Sequence, residues 1–130
     1  MFKLFVLALL VLSVSSCGRS TQPLLPSPVG EYVLMTIDER ALPTAGASGD
    51  SVIVGGAVLK ASGSYVISWF EPSYYFGTRS LIASQDSGSW AANGSTIEFS
   101  ARNGASFAGT FAAPTLQVRY RSSNWAFAKQ

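Results

Sequence analysis

The chain has no histidine, a single cysteine, and few charges for its 130 residues, 9 basic and 7 acidic. Each shortage excludes a chemistry. A multi-ligand zinc site, a disulfide framework and a histidine-based catalytic triad all need side chains that are missing. The sparse, nearly balanced charge forms no basic stripe of the kind that follows a nucleic-acid backbone. Six carboxylates, Asp38, Glu39, Asp50, Glu71, Asp86 and Glu98, fall in no pattern that would hold two of them at a working separation. The serines have no histidine to activate them, and neither Lys60 nor Lys129 sits in a Ser-Lys arrangement. The expectation is therefore a binding or structural module rather than an enzyme, with no cofactor and no metal. At this length it is one small domain at most.

What is present is unevenly distributed. Twelve of the first sixteen residues are apolar, with one charge at Lys3, an apolar run from Leu4 to Leu12, and a small polar stretch ending at Ser16. This three-part layout is that of a secretory signal. The run is too short to cross about 30 Å of hydrocarbon as a helix. Without Lys3 the remaining chain has 8 basic and 7 acidic residues, a net charge of +1. From Gly18 to Pro28 three prolines and no apolar periodicity mark a tether, extended at up to about 3.1 Å per residue.

From Val29 the pattern changes to alternation with period two, and turn residues return about every ten positions, as in an all-β barrel or sandwich. Expected strands are Gly30 to Ile37, Val52 to Lys60, Ser64 to Glu71, Tyr74 to Ser84, Gly88 to Ala92, Ser95 to Arg102, Ala105 to Ala112, Thr115 to Arg121 and Asn124 to Ala128. Asn93-Gly94 and Asn103-Gly104 signal hairpins with positive φ at both turn positions. In the last four strands Ile97, Phe99, Phe107, Phe111, Leu116, Val118, Tyr120, Trp125 and Phe127 share one face. Thr96, Glu98, Gln117, Arg119 and Arg121 share the other. No segment beyond the signal has a useful helical period, a turn near Asp38 to Leu42 being the one exception. Consecutive tight hairpins favour a small antiparallel up-and-down barrel of about eight strands, which removes sheet edges by closing on itself. A sandwich is the alternative, since the Ala41 to Ser51 loop could hide a crossing.

Two resemblances carry further expectations. Val14-Ser15-Ser16-Cys17 resembles the lipobox of bacterial lipoproteins, in which the chain is cut between the residues equivalent to Ser16 and Cys17 and the cysteine is lipidated. The resemblance implies several alkyl chains, palmitate among them, on Cys17 and hence a membrane anchor, at about 0.8 kcal/mol per buried methylene. An aspartate after the cysteine would retain such a protein in the inner membrane. Gly18 there favours the outer membrane. Gly30-Glu31-Tyr32-Val33-Leu34, Leu42-Pro43, Gly56-Ala57-Val58-Leu59, Ser62-Gly63-Ser64-Tyr65, Ser87-Gly88-Ser89-Trp90, Ile97-Glu98-Phe99 and Thr115-Leu116 resemble the small lipocalin-like domains of bacterial lipoproteins. The implied organisation is a signal over 1–16, a lipidated tether over 17–28 and a lipocalin-like barrel over 29–130. The first strand lacks the Gly-x-Trp signature of true lipocalins, and no long C-terminal helix follows the strands.

The outstanding local feature is Trp69-Phe70-Glu71-Pro72-Ser73-Tyr74-Tyr75-Phe76, five aromatics in eight residues. Around a Pro-Ser turn they would gather at one end of the barrel, where alternation cannot bury them all. Trp69, Phe70, Tyr74, Tyr75 and Phe76 are thus the candidate contacts for a small apolar or amphipathic ligand in the barrel mouth. Alternatively they meet a protein partner in the cell envelope, or Trp69 and two others complete the core while the tyrosines cover its rim. Whether the barrel is filled by its own aromatics or holds an open cavity separates these readings. For the anchor, Cys17→Ser is expected to abolish metabolic labelling with palmitate and release the chain from the membrane fraction. Label retained on that variant would exclude lipidation at Cys17.

Overall fold

The computed structural model describes residues 26–47, 49 and 51–130, and every regular element among them is a β-strand. The strands are β1 (Gly30–Ile37), β2 (Arg40–Ala41), β3 (Thr44–Ala45), β4 (Ser51–Val52), β5 (Val54–Leu59), β6 (Ser64–Tyr75), β7 (Thr78–Asn93), β8 (Thr96–Ala101), β9 (Ser106–Ala112), β10 (Thr115–Tyr120) and β11 (Ser123–Lys129). Neighbours in sequence pair antiparallel from β5 to β11, β5 pairs with β1, and β1 pairs with β11. Eight strands thereby close an up-and-down barrel, while the short β2 folds back on β1. The loop after β2 hides no crossing. It carries the small β3–β4 hairpin, through which Val52 reaches the core.

Alternation decides what is inside. Tyr32, Leu34 and Ile37 of β1, Ala57 and Leu59 of β5, and Tyr65, Ile67 and Trp69 of β6 all point inward and are buried. Eight of the nine apolar positions expected on one face of β8 to β11 are buried, and Phe107 is half-buried against the same cluster. Thr96, Glu98, Gln117, Arg119 and Arg121 are exposed, as expected. Each fully buried side chain of this size contributes about 1.5–3 kcal/mol. The barrel is filled by rings in contact. Phe99 stacks on Phe107 at 4.8 Å, Tyr65 meets both edge-on, Phe107 meets Tyr120 at 5.0 Å, and Trp69, Tyr120 and Trp125 form a triangle with centroids 5.2 to 5.7 Å apart. Among the described residues the indole nitrogen of Trp125 is the one buried side-chain polar atom without a hydrogen-bond partner.

Four expectations need correction. Tyr74 to Ser84 and Gly88 to Ala92 are not separate strands, because β7 runs unbroken for 16 residues. Gly88 does not interrupt it. A Cβ there would lie 2.0 Å from the carbonyl oxygen of Ser100, so the glycine permits close pairing with β8. Pro72-Ser73 is not a turn either but mid-strand in β6, since no described strand pairs with the outer edge of β6 beyond Phe70 and a missing N–H there breaks no described ladder. The Asn-Gly hairpins form, but without positive φ at both turn positions. Gly94 alone takes it (φ 62°) in the first, and in the second Gly104 (φ 89°) follows a turn at Arg102-Asn103. The turns with two left-handed residues are Asp38-Glu39, Phe76-Gly77 and Arg121-Ser122. Asp38 to Leu42 therefore begins with a hairpin turn and not a helical one.

The registers put these three turns, with 102–104, at one end of the barrel. The Lys60–Gly63, 94–95 and 113–114 turns, the start of β1 and the end of β11 lie at the other. At that second end the Tyr32 hydroxyl donates to the carbonyl of Pro28, and the Lys129 ammonium donates to that of Ser27 (2.8 Å) and lies over the Phe111 ring. At the first end, the Asp38 carboxylate accepts the Asn124 amide (2.8 Å) and the hydroxyl of buried Ser123, whose oxygen accepts the Ala47 amide (2.7 Å). The Asn124 amide, and after it the Ser123 hydroxyl, hold the Asp38 carboxyl below the usual carboxylate range. A carboxyl whose pKa falls on folding stabilises the fold above its unfolded value, about 4, and loses that contribution as pH drops through the folded value. The melting temperature is thus expected to fall on acidification below about pH 4, and less steeply in Asp38→Asn.

Candidate functional site

The barrel ends at Phe70, the last residue of β6 that pairs with β5, but β6 and β7 continue as a two-stranded ribbon. Five further pairs, Glu71 opposite Ile82 through Tyr75 opposite Thr78, extend it about 16 Å past the rim. Opposed residues share a face. Phe70, Pro72, Tyr74, Arg79, Leu81 and Ala83 continue the outer surface of the barrel, and Glu71, Ser73, Tyr75, Thr78, Ser80 and Ile82 continue its interior face. No second layer among the described residues covers either face, and apolar side chains on both are exposed.

The five candidate aromatics therefore divide. Trp69 is 4% exposed and belongs to the core, its indole N–H donating to Glu71 at 2.8 Å and the Arg121 guanidinium lying over its ring. It is withdrawn as a contact residue. Phe70 is 42% exposed, Tyr74 70%, Tyr75 72% and Phe76 91%, and these four lie along the ribbon or at its tip. Cys17 and Ser16 lie outside the described residues. Leu81 and Ile82, each about half exposed, were not singled out in the sequence and belong to the same surface, with Val54 directly opposite Phe70. The available signal was that Leu81-Ile82 faces the aromatic run across a hairpin, which is visible only once the turn is known to be Phe76-Gly77.

Phe76 is held in an unfavourable place twice over. Its φ of 49° lies in the left-handed region, which costs an L-residue about 1–2 kcal/mol, and its ring is the most exposed large hydrophobic group described. The one ring it touches is that of Tyr75, at 4.4 Å between centroids. Bulky residues with positive φ concentrate where function holds them.

The strand edges differ. That of β6 beyond Phe70 carries Pro72, a common protection against unwanted pairing. The opposite edge, β7 from Thr78 to Asp86, has no partner strand among the described residues, because β8 joins β7 only at Gly88. This free edge of nine residues is about 30 Å long and contains no proline. Where it meets the barrel lies a half-open concavity of about 410 Å³, with Phe107 and Tyr120 in its floor and Gln85, Asp86, Asn103 and Arg121 on its rim. The Asp86 carboxylate accepts the hydroxyls of Tyr65 (3.4 Å) and Tyr120, and burial, then the Asp86 charge, pushes both phenols up. Among the described residues no group of His, Cys, Asp and Glu is arranged to hold a metal ion.

No protein-family model, curated protein or solved structure matches the chain. The closed eight-stranded antiparallel barrel agrees with the lipocalin-like architecture at the level of topology. Phe76→Asn, which places a residue tolerant of positive φ at the turn, is expected to raise stability by about 1 kcal/mol, read as a higher urea midpoint with an unchanged slope. An unchanged or lower midpoint would show that Phe76 supports the fold.

Proposed function

We propose that the protein is an envelope lipoprotein, anchored through lipid on Cys17 in the outer membrane, whose barrel is a scaffold presenting the β6–β7 ribbon to a protein partner. The anchor rests on the lipobox resemblance at Val14 to Cys17 and on Gly18 after it. The partner role rests on one observation, that the barrel interior is packed with rings while Tyr74, Tyr75, Phe76, Leu81 and Ile82 stand exposed on a ribbon beyond it. An isolated two-stranded ribbon is marginal in water, and one apolar on both faces gains most from being covered. Carriage of a small apolar ligand inside the barrel has less support, since Tyr65, Phe99, Phe107, Tyr120, Trp125 and Trp69 fill that interior in mutual contact. No catalytic role is proposed.

A photo-reactive phenylalanine analogue placed at Leu81, and at Glu98 on the barrel wall as control, tests this in the producing cell. The expected result is a discrete protein adduct from position 81, none from position 98, and loss of the first with Phe76→Asp. Saturable quenching of tryptophan fluorescence by a fatty acid, with no adduct at position 81, would replace this reading with the ligand-carrier one.

A further inference from the structure

Resting on the reading of the ribbon as a protein-docking surface, we propose that its partner is a second copy of this chain. The two β7 strands pair antiparallel along their free edges about a two-fold axis at Ile82, and each ribbon tip seats Phe76 in the mouth concavity of the other copy.

The register follows from the edge itself. Directly opposed residues of an antiparallel ladder share a face, so a two-fold axis perpendicular to the ribbon places equivalent faces side by side. Ile82 is the midpoint of the unpaired Thr78 to Asp86 segment. Centring there opposes Leu81 with Ala83, Ser80 with Ser84, Arg79 with Gln85 and Thr78 with Asp86, using the whole edge without displacing β8. No like charges meet: Arg79 and Gln85 share the outer face, and Asp86 faces Thr78 on the interior one. β6 cannot serve equally well, because Pro72 removes a donor from its free edge.

The same register decides where the tip goes. Beyond Thr78 the ladder stops, because Ser87 and Gly88 of the other copy are already held by Arg102 and Ala101, and the turn Phe76-Gly77 leaves the edge at the end of β8, beside the concavity that Asn103 and Ala105 help to line. Its volume of about 410 Å³ accommodates a phenyl ring with space for part of Tyr75, above the rings of Phe107 and Tyr120. Both unfavourable features of Phe76, its φ of 49° and its 91% exposure, then have one explanation.

The contact covers the tip and the edge, and the outer face of β6 stays in water. At about 200 Å² for a whole aromatic side chain, the exposed fractions of Tyr75 and Phe76 bring on the order of 330 Å² from each copy. With the nine-residue edge, Leu81 and Ile82 the contact stays below the roughly 800 Å² per partner of a standard interface, in the size range of transient ones. The contact is isologous and consumes both free β7 edges, so it closes at two copies instead of propagating.

The test uses the full-length chain in the membranes of the producing cell. Ile82→Cys places two thiols on the axis with Cβ atoms about 4.5–5.5 Å apart, within reach of a disulfide after slight adjustment. Mild oxidation is expected to convert most of this variant to a species of twice the mass. Wild type and Thr96→Cys, on the barrel wall, stay monomeric, and adding Phe76→Asp to Ile82→Cys lowers the dimer yield at least tenfold. A monomeric Ile82→Cys together with a position-81 photo-adduct of a different mass would overturn the second-copy proposal and leave the docking reading standing. Monomer with no adduct would overturn both. Monomer whose ribbon residues are shielded only on adding vesicles of phosphatidylethanolamine and phosphatidylglycerol would replace the second copy with a lipid surface.

Discussion

The antiparallel pairing of β1 with β11, from Tyr32 opposite Lys129 to Ile37 opposite Trp125, turns a meander of strands into a closed surface with an inside. Without it Tyr32, Leu34, Trp125 and Phe127 would lie at two sheet edges. With it they line one interior together with Trp69 and Phe99. Closure also explains the register shift between Leu34 and Thr36, where a bulge lets the pairing follow the bend of the barrel and leaves Met35 facing solvent. The ends of the barrel follow from the same constraint. A closed sheet exposes no lateral edge, so any free edge must come from strands that outrun their neighbours, as β6 and β7 do.

Filling that interior with rings gives the core its particular character. Eight strands enclose little more than their own side chains, and the contacts joining Tyr65, Phe99, Phe107, Tyr120, Trp125 and Trp69 run continuously through it. Such a core is rigid, and rigidity is what a scaffold for a projecting ribbon requires. Aromatic demand at the rim is met by polar groups: Glu71 takes the Trp69 N–H, Arg121 covers its ring, and Asp86 takes two tyrosine hydroxyls. Past that rim the same strands lose every such partner.

Much of the fold was legible because alternation and burial coincide in the barrel. β1 has its expected limits, and the four C-terminal strands appear with the expected inward face. Trp69 was also legible, since it shares parity with Tyr65 and Ile67, although its aromatic neighbours drew it into the candidate site. The ribbon was not. Its turn is made by Phe76, a residue with no turn preference, while Pro72-Ser73 has turn composition but sits where an unpaired edge tolerates it. Strand length relative to a neighbour is a tertiary property, and nothing in Thr78 to Asp86 announces that β8 will end short of it.

The fastening of Pro28 and Ser27 by Tyr32 and Lys129 gives the molecule a direction. The chain reaches the barrel at the mouth farthest from Phe76, so whatever holds the residues upstream has the length of the barrel between itself and the ribbon. A surface carrying this protein by its N-terminal side would hold the aromatic tip outward, with the barrel itself as the spacer between them.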